Sequence, residues 1–315
     1  MKPTSGFIRA AAVAGLAVAP VLSLAPPASA ADRAAAVPGA GLCGSLAHPR
    51  LAARVGRDID AARRGRVSEI SVRVDDPGKG LQCWLHGSRR FDSASVVKVT
   101  ILGALLRKAL VQHRYLTNAE AAEADAMITR SDNDAASALW SELGRGYIQR
   151  FLNLAGMRHT APGLDGYWGL TQITAHDEVL LLRLLLHRNP VLDPVSRRYA
   201  LSLMAQVIGS QRWGVPAGAP ARLTVHVKNG WLPSATHGWY VHSIGCFTGL
   251  RGGYSIVVLT QDNPTMAYGI RTIEAIARAI HRDLNPGTTS VIAPSKASPS
   301  WGRPDERIPA LPDMP

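Results

Sequence analysis

The 315-residue sequence predicts an α/β (α+β) fold, with a five-stranded antiparallel sheet flanked by terminal helices and an all-helical part inserted into it. Three observations predict it. Segments rich in β-branched and aromatic residues fall into two groups, ISVRV and LQCWLHG early, then RLTVHVKNG, GWYVHSIGCFTG and GGYSIVVLTQD late. The sequence between the groups is almost wholly helical in character. Each group is also bounded on its outer side by a helix with a 3.6-residue apolar period, over residues 48–65 and 266–284. A cleft between the sheet and the helical part is the expected site.

The elements follow in order. Residues 1–30 read as a secretion signal: Lys2 and Arg9 precede AAAVAGLAVAPVLSLA, and Ala28-Ser29-Ala30 is a small-x-small cleavage pattern, which places the cut near Ala30/Ala31. The apolar run is short and broken by Pro20, so no membrane span is expected. The mature chain is therefore expected to be secreted or associated with the cell wall. Residues 31–42, rich in Ala, Pro and Gly, read as a flexible leader. The first helix and two strands come next, with Asp75-Asp76-Pro77-Gly78 marking the turn between the strands. A long helix runs through VVKVTILGALLRKALVQH, and a second begins at a Thr117 cap. NDAASALWSEL, AHDEVLLLRLLLHR (ended by Asn189-Pro190) and PVSRRYALSLMAQV are further helices. The expected domain is 43–284, with its sheet part at 43–91 and 218–284 and its helical part at 92–217. A Pro/Ser-rich tail follows over 285–315.

Composition narrows the function. The net charge of +12 suggests a polyanionic environment, but the arginines are scattered and no nucleic-acid motif is present. Anionic wall polymers are the expected electrostatic surroundings, and nucleic acid is not expected as a partner. Three cysteines allow at most one internal bridge, and Cys43 with Cys83 is the preferred pair. Their spacing matches no zinc motif, so neither a metal nor a cofactor is expected. His226, His237 and His242 fall on or near strands, where single histidines are usually structural.

Three short motifs carry the chemistry. Ser95-Val96-Val97-Lys98, Ser131-Asp132-Asn133 and Lys228-Asn229-Gly230 each occur once. Alone, each has a plain reading: a capping serine with a snorkelling lysine, a helix cap, a strand-end turn. Together and in this order they are much harder to obtain by chance. Lysine is also scarce, with six among 35 Lys and Arg, yet Lys98 sits in an apolar helix one turn after Ser95. A buried lysine sheds its proton near neutral pH, and arginine does not. A serine hydroxyl needs such a base to become a nucleophile.

The three motifs resemble those of the penicillin-interacting serine enzymes, and among them the class A β-lactamases. The resemblance covers roughly residues 43–284. It implies a β-lactamase/DD-peptidase-like fold and a monomer acting on β-lactam or peptidoglycan-type small molecules. It implies Ser95 as nucleophile, Lys98 as its base and Ser131 as a proton relay to the leaving nitrogen. Asn133 would hold the substrate amide, and Lys228, Asn229 and Gly230 its carboxylate. The oxyanion hole would be the backbone N–H groups of Ser95 and Trp231. Asp132 reads as structural.

The sequence also departs from that pattern. Class A enzymes activate the deacylating water with a loop glutamate, but no Glu lies between Glu142 and Glu178. Asp165 is the carboxylate that could substitute, although Asp-Gly is usually a turn; Tyr167 is a further substitute. The segment from Ser95 to Ser131 is short, and Asn229 stands where Thr or Ser is usual. Acylation is thus provided for, and release is not. Two other readings remain at this stage: a D-Ala-D-Ala peptidase or esterase, and a non-catalytic binder of wall fragments on the same fold. Intact Ser95 and Lys98 speak against the binder.

Overall fold

The computed structural model describes residues 41–250 and 252–288. The expected signal over 1–30, most of the leader and the tail past residue 288 lie outside the described residues. No helix among the described residues is long and apolar enough to cross a membrane.

The sheet has six antiparallel strands: β1 (Cys43–Gly44), β2 (Glu69–Asp76), β3 (Leu81–Leu85), β6 (Thr224–Ser234), β7 (Gly238–Gly249) and β8 (Gly252–Asn263), in spatial order β1-β3-β2-β8-β7-β6. Five correspond to the expected strands. The sixth, β1, has two residues, too few for any alternation to reveal it. It exists because Cys43 and Cys83 are register partners joined by a disulfide. A bridge closing a loop of this length stabilises a fold by roughly 2–4 kcal/mol. The early and late strand groups meet at β2 and β8, paired from Glu69↔Gln261 to Asp75↔Ser255.

Strand alternation splits the core in two. On β8, Ile256 and Val258 pack with helices α1 (Pro49–Arg63) and α8 (Met266–Leu284), through Val55, Ile59, Ile273, Ile276 and Ile280. Val257 and Leu259 face the helical part. At its centre is α2 (Val97–Val111), where every residue from Val97 to Leu106 is buried. A helix apolar all round is a buried helix. Around it stand α3 (Asn118–Asp125), α4 (Asn133–Leu143), α5 (Arg145–Leu154), α6 (Ala175–Leu186) and α7 (Pro194–Ala205). Thr117 caps α3 through a reciprocal pair with Glu120. The helix α5 is not distinguished in the sequence; Gly144, at φ +72°, separates it from α4. A small ribbon, β4 (Arg90–Asp92) with β5 (Gln172–Thr174), ties the loop before α6 to the chain entering α2.

Candidate active site

Ser95 lies in a single 3₁₀ turn, Ala94–Val96, that leads into α2. Ala94 adopts φ +46°, left-handed for a residue with a Cβ and costing roughly 1 kcal/mol or more. Ser93 offsets the strain by anchoring the turn. Its N–H donates to Thr171 O at 2.9 Å, and its hydroxyl donates to Gly169 O at 3.2 Å. The turn rests on β6, the outermost strand. A Cβ on Gly230 would lie 2.9 Å from Ser93 O, Ser95 N and Val96 N, so only glycine permits this approach. Trp231 follows on the same strand. Gly230→Ala should push the turn away and destabilise the protein by about 1–3 kcal/mol, which denaturant unfolding reads.

Lys98 and Lys228 are both fully buried and converge on Ser131. Lys98 Nζ donates to Ser131 O (2.8 Å), Ser131 Oγ (3.2 Å) and Asn133 Oδ1 (2.7 Å). Lys228 Nζ donates to Ser131 Oγ at 2.9 Å and to Asn229 O at 2.9 Å. Burial pushes Lys98 well below the lysine range; repulsion from Lys228 adds to this, and Asp132 partly opposes it. Burial alone brings Lys228 down to about 7. Lys98 therefore gives up its proton far more readily than an exposed lysine, while near neutral pH Lys228 is partly charged. No carboxylate hydrogen-bonds Lys98 among the described residues.

Ser131 is itself strained, at φ +60°, where one wide helical turn (Ala126–Arg130) ends α3. Asp132 caps α4 by accepting from Ala135 N at 2.8 Å, which aims Asn133 inward at the first turn.

Two expected site residues sit elsewhere. Asn229 is buried, and its amide donates to Gln211 O (2.8 Å) and Trp213 O (3.0 Å). Both N–H groups are consumed, so Asn229 holds the 211–213 segment instead of offering a donor to a carboxylate. The reason is alternation: with Lys228 turned to Ser131, residue 229 faces the other side of β6. Asp165 is exposed in a turn closed by Tyr167 N→Leu164 O at 2.8 Å, with φ +49°. It makes no hydrogen bond or ion pair with Ser95, Lys98, Ser131 or Lys228.

Trp168, which no motif singles out, does reach the site. Its ring centre is 4.8 Å from Lys98 Nζ, and its indole N–H donates to Ser137 Oγ at 3.1 Å. An aromatic residue in an aperiodic loop carries no directional signal in sequence. The strand histidines have other employment. His242 donates from Nε2 to Asp92 O and accepts from Thr260 N at Nδ1, a neutral ring pushed down to about 4 by burial. His226 bonds Leu201 O and Thr248 Oγ1.

Known proteins share this architecture. The chain resembles the putative lipoprotein LppW of Mycobacterium bovis and Mycobacterium tuberculosis, 29% identical over 193 residues, or 59% of this chain. The match spans 60% of the relatives' own length. The fold matches an ancestral class A beta-lactamase with TM-score 0.62 at 21% identity, covering 72% of this chain and 98% of that one. It matches the beta-lactamase of Sphaerobacter thermophilus with TM-score 0.61 at 21% identity, covering 71% and 94%. A model of the beta-lactamase enzyme family matches residues 123–284, just over half of the chain and including Ser131, Asn133 and Lys228. With the sheet, the inserted helices and that match in agreement, the chain belongs to the beta-lactamase enzyme family.

Proposed function

We propose that the protein is an exported serine hydrolase that forms an acyl-enzyme with β-lactams or related amides and releases the acyl group slowly. The observation that carries this reading is the buried Lys98 amine, its proton affinity lowered by burial and by Lys228, 3.2 Å from a Ser131 hydroxyl that Lys228 also contacts. Lys98 takes the Ser95 proton as Ser95 Oγ attacks the carbonyl. The backbone N–H groups of Ser95 and Trp231 receive the oxyanion. The proton passes from Lys98 through Ser131 to the leaving nitrogen, as the C–N bond breaks. Lys228 holds the substrate carboxylate, and Asn133 its amide. Release needs a base for water, and no carboxylate stands at Lys98 to act as one. Export is supported by the N-terminal pattern, the Cys43–Cys83 bridge and a relative described as a putative lipoprotein.

A fluorescent penicillin tests the reading. The protein should take up covalent label in a burst and then turn over very slowly, and Ser95→Ala should take up none. Absence of label on the parent chain, or label on Ser95→Ala, removes the proposal. Rapid steady hydrolysis removes the slow-release half. Persistent label together with cleavage of D-Ala-D-Ala peptides would redirect the substrate assignment to cell-wall peptides.

A further inference from the structure

Three metal-ligating side chains meet where α6 begins. His176 and Asp177 occupy its second and third positions after the Thr174 cap, and His159 comes from the turn after α5. One donor atom from each lies within 4.8 Å of the other two. We propose that His159, His176 and Asp177 form a site for a divalent ion of the zinc class, separate from the serine chemistry.

The carboxylate is prepared for this. Asp177 is fully buried, and its Oδ2 accepts from His159 N and Thr160 Oγ1, both at 2.8 Å. That fixes the group and leaves Oδ1 for a further ligand, the usual outer-shell arrangement around a metal-binding carboxylate. The Oδ1 to His159 Nδ1 separation is 3.4 Å. This is long for a charge-assisted hydrogen bond. It equals the edge of roughly 3.4 Å expected between two donors on a tetrahedral ion with bonds of about 2.1 Å. The imidazoles also fit. Their centroids are 5.8 Å apart with planes at 76°, an arrangement two rings can hold around one ion.

His176 supplies the second observation. Its Nδ1 is buried and has no hydrogen-bond partner among the described residues. Trp84 packs against the ring at a centroid distance of 5.1 Å, and the Arg73 guanidinium lies over the same indole at 4.4 Å. Arg183, the other nearby cation, is matched by a bidentate pair with Asp75 at 2.6 Å. His159 is half-exposed and gives the ion a way in. Two imidazoles and one carboxylate favour zinc and its late first-row neighbours over magnesium or calcium.

Equilibrium dialysis of the untagged full chain against Zn²⁺ tests the site, with Co²⁺ absorption as the geometric probe. The expected result is one ion per chain and a visible Co²⁺ spectrum of tetrahedral type. His159→Ala and His176→Ala should each weaken binding about tenfold or more, and His237→Ala should leave it unchanged. If His176→Ala does not fold, His159→Gln on the half-exposed ring decides the matter. No binding at submillimolar Zn²⁺, or binding that both histidine variants retain, overturns the proposal.

Discussion

Lys98→Met should lower the rate of acylation by about 10²–10⁴-fold, the contribution of a well-placed general base, while the protein stays folded. Lys98→Arg should be as inactive, because a guanidinium does not surrender its proton at neutral pH. Two opposing terms decide the stability of the Met variant. Removing a buried amine relieves its desolvation. It also strips a donor from Ser131 O and Asn133 Oδ1, at about 1–3 kcal/mol for each acceptor left unsatisfied. The melting temperature should therefore move by only a few degrees, and calorimetry beside label uptake separates lost chemistry from lost fold. Label uptake at the parent rate by folded Lys98→Met would remove Lys98 from the role of base.

The pH profile follows from the same pair of lysines. Lys98 titrates well below the lysine range, so it remains a base as pH rises. Lys228 titrates at about 7 and loses the charge that would hold a carboxylate. Acylation efficiency by carboxylate-bearing substrates should thus fall as pH rises through about 7 in the free enzyme. Stability should run the other way. The folded pKa of Lys228 is depressed from 10.5 to about 7, so between those values the unfolded chain binds more protons. Folding then gains stability with rising pH across that window, by a few kcal/mol at most. Lys228→Met should remove the dependence of acylation and reduce that of stability, whose remainder comes from the lowered pKa of Lys98.

Trp168→Ala should speed loss of the acyl group about tenfold or more and leave its formation little changed. Three internal oxygens, Ser131 O, Ser131 Oγ and Asn133 Oδ1, lie within hydrogen-bond distance of Lys98 Nζ and take up its polar directions. The Trp168 ring completes the enclosure, and no surface of Lys98 reaches solvent. Water has no position at the one base present. Shortening Trp168 opens a space beside Nζ, where a water could be activated by the neutral amine. General damage to the site would instead slow acylation, so the ratio of the two rates is the decisive readout. Trp168→Leu keeps apolar packing against the loop and serves if the Ala variant is unstable. An unchanged label lifetime in both variants would show that Trp168 does not exclude the water.

Much of this was legible before any coordinates. The two strand groups, the bounding helices, the Thr117 cap and the three motifs depend on local periodicity and side-chain chemistry, which a sequence states directly. Asn229 was assigned to the carboxylate by resemblance, although the strand's period of two already places it opposite Lys228 on β6. Other features had no local sign. A two-residue β1 is visible only through its disulfide partner. Ser131 and Ala94 hold left-handed backbones because distant segments clamp them, and neither is a glycine whose presence would announce it. Trp168 reaches Lys98 because β4, β5 and the Ser93 anchor fold its loop onto the serine turn.

By itself, then, the sequence determined which residues could do the chemistry and in which elements they lie. Lys98 in an apolar helix beside Ser95 was a candidate base whose proton affinity packing would have to lower. The tertiary structure decided whether that happens. Proton affinity depends on lost solvent and on the nearest charges, and Lys228 comes to Ser131 from 97 residues away. Enclosure by Trp168, the contact of Gly230 with the Ser95 turn and the meeting of His159 with His176 are likewise products of packing between segments whose separate sequences carry no record of one another.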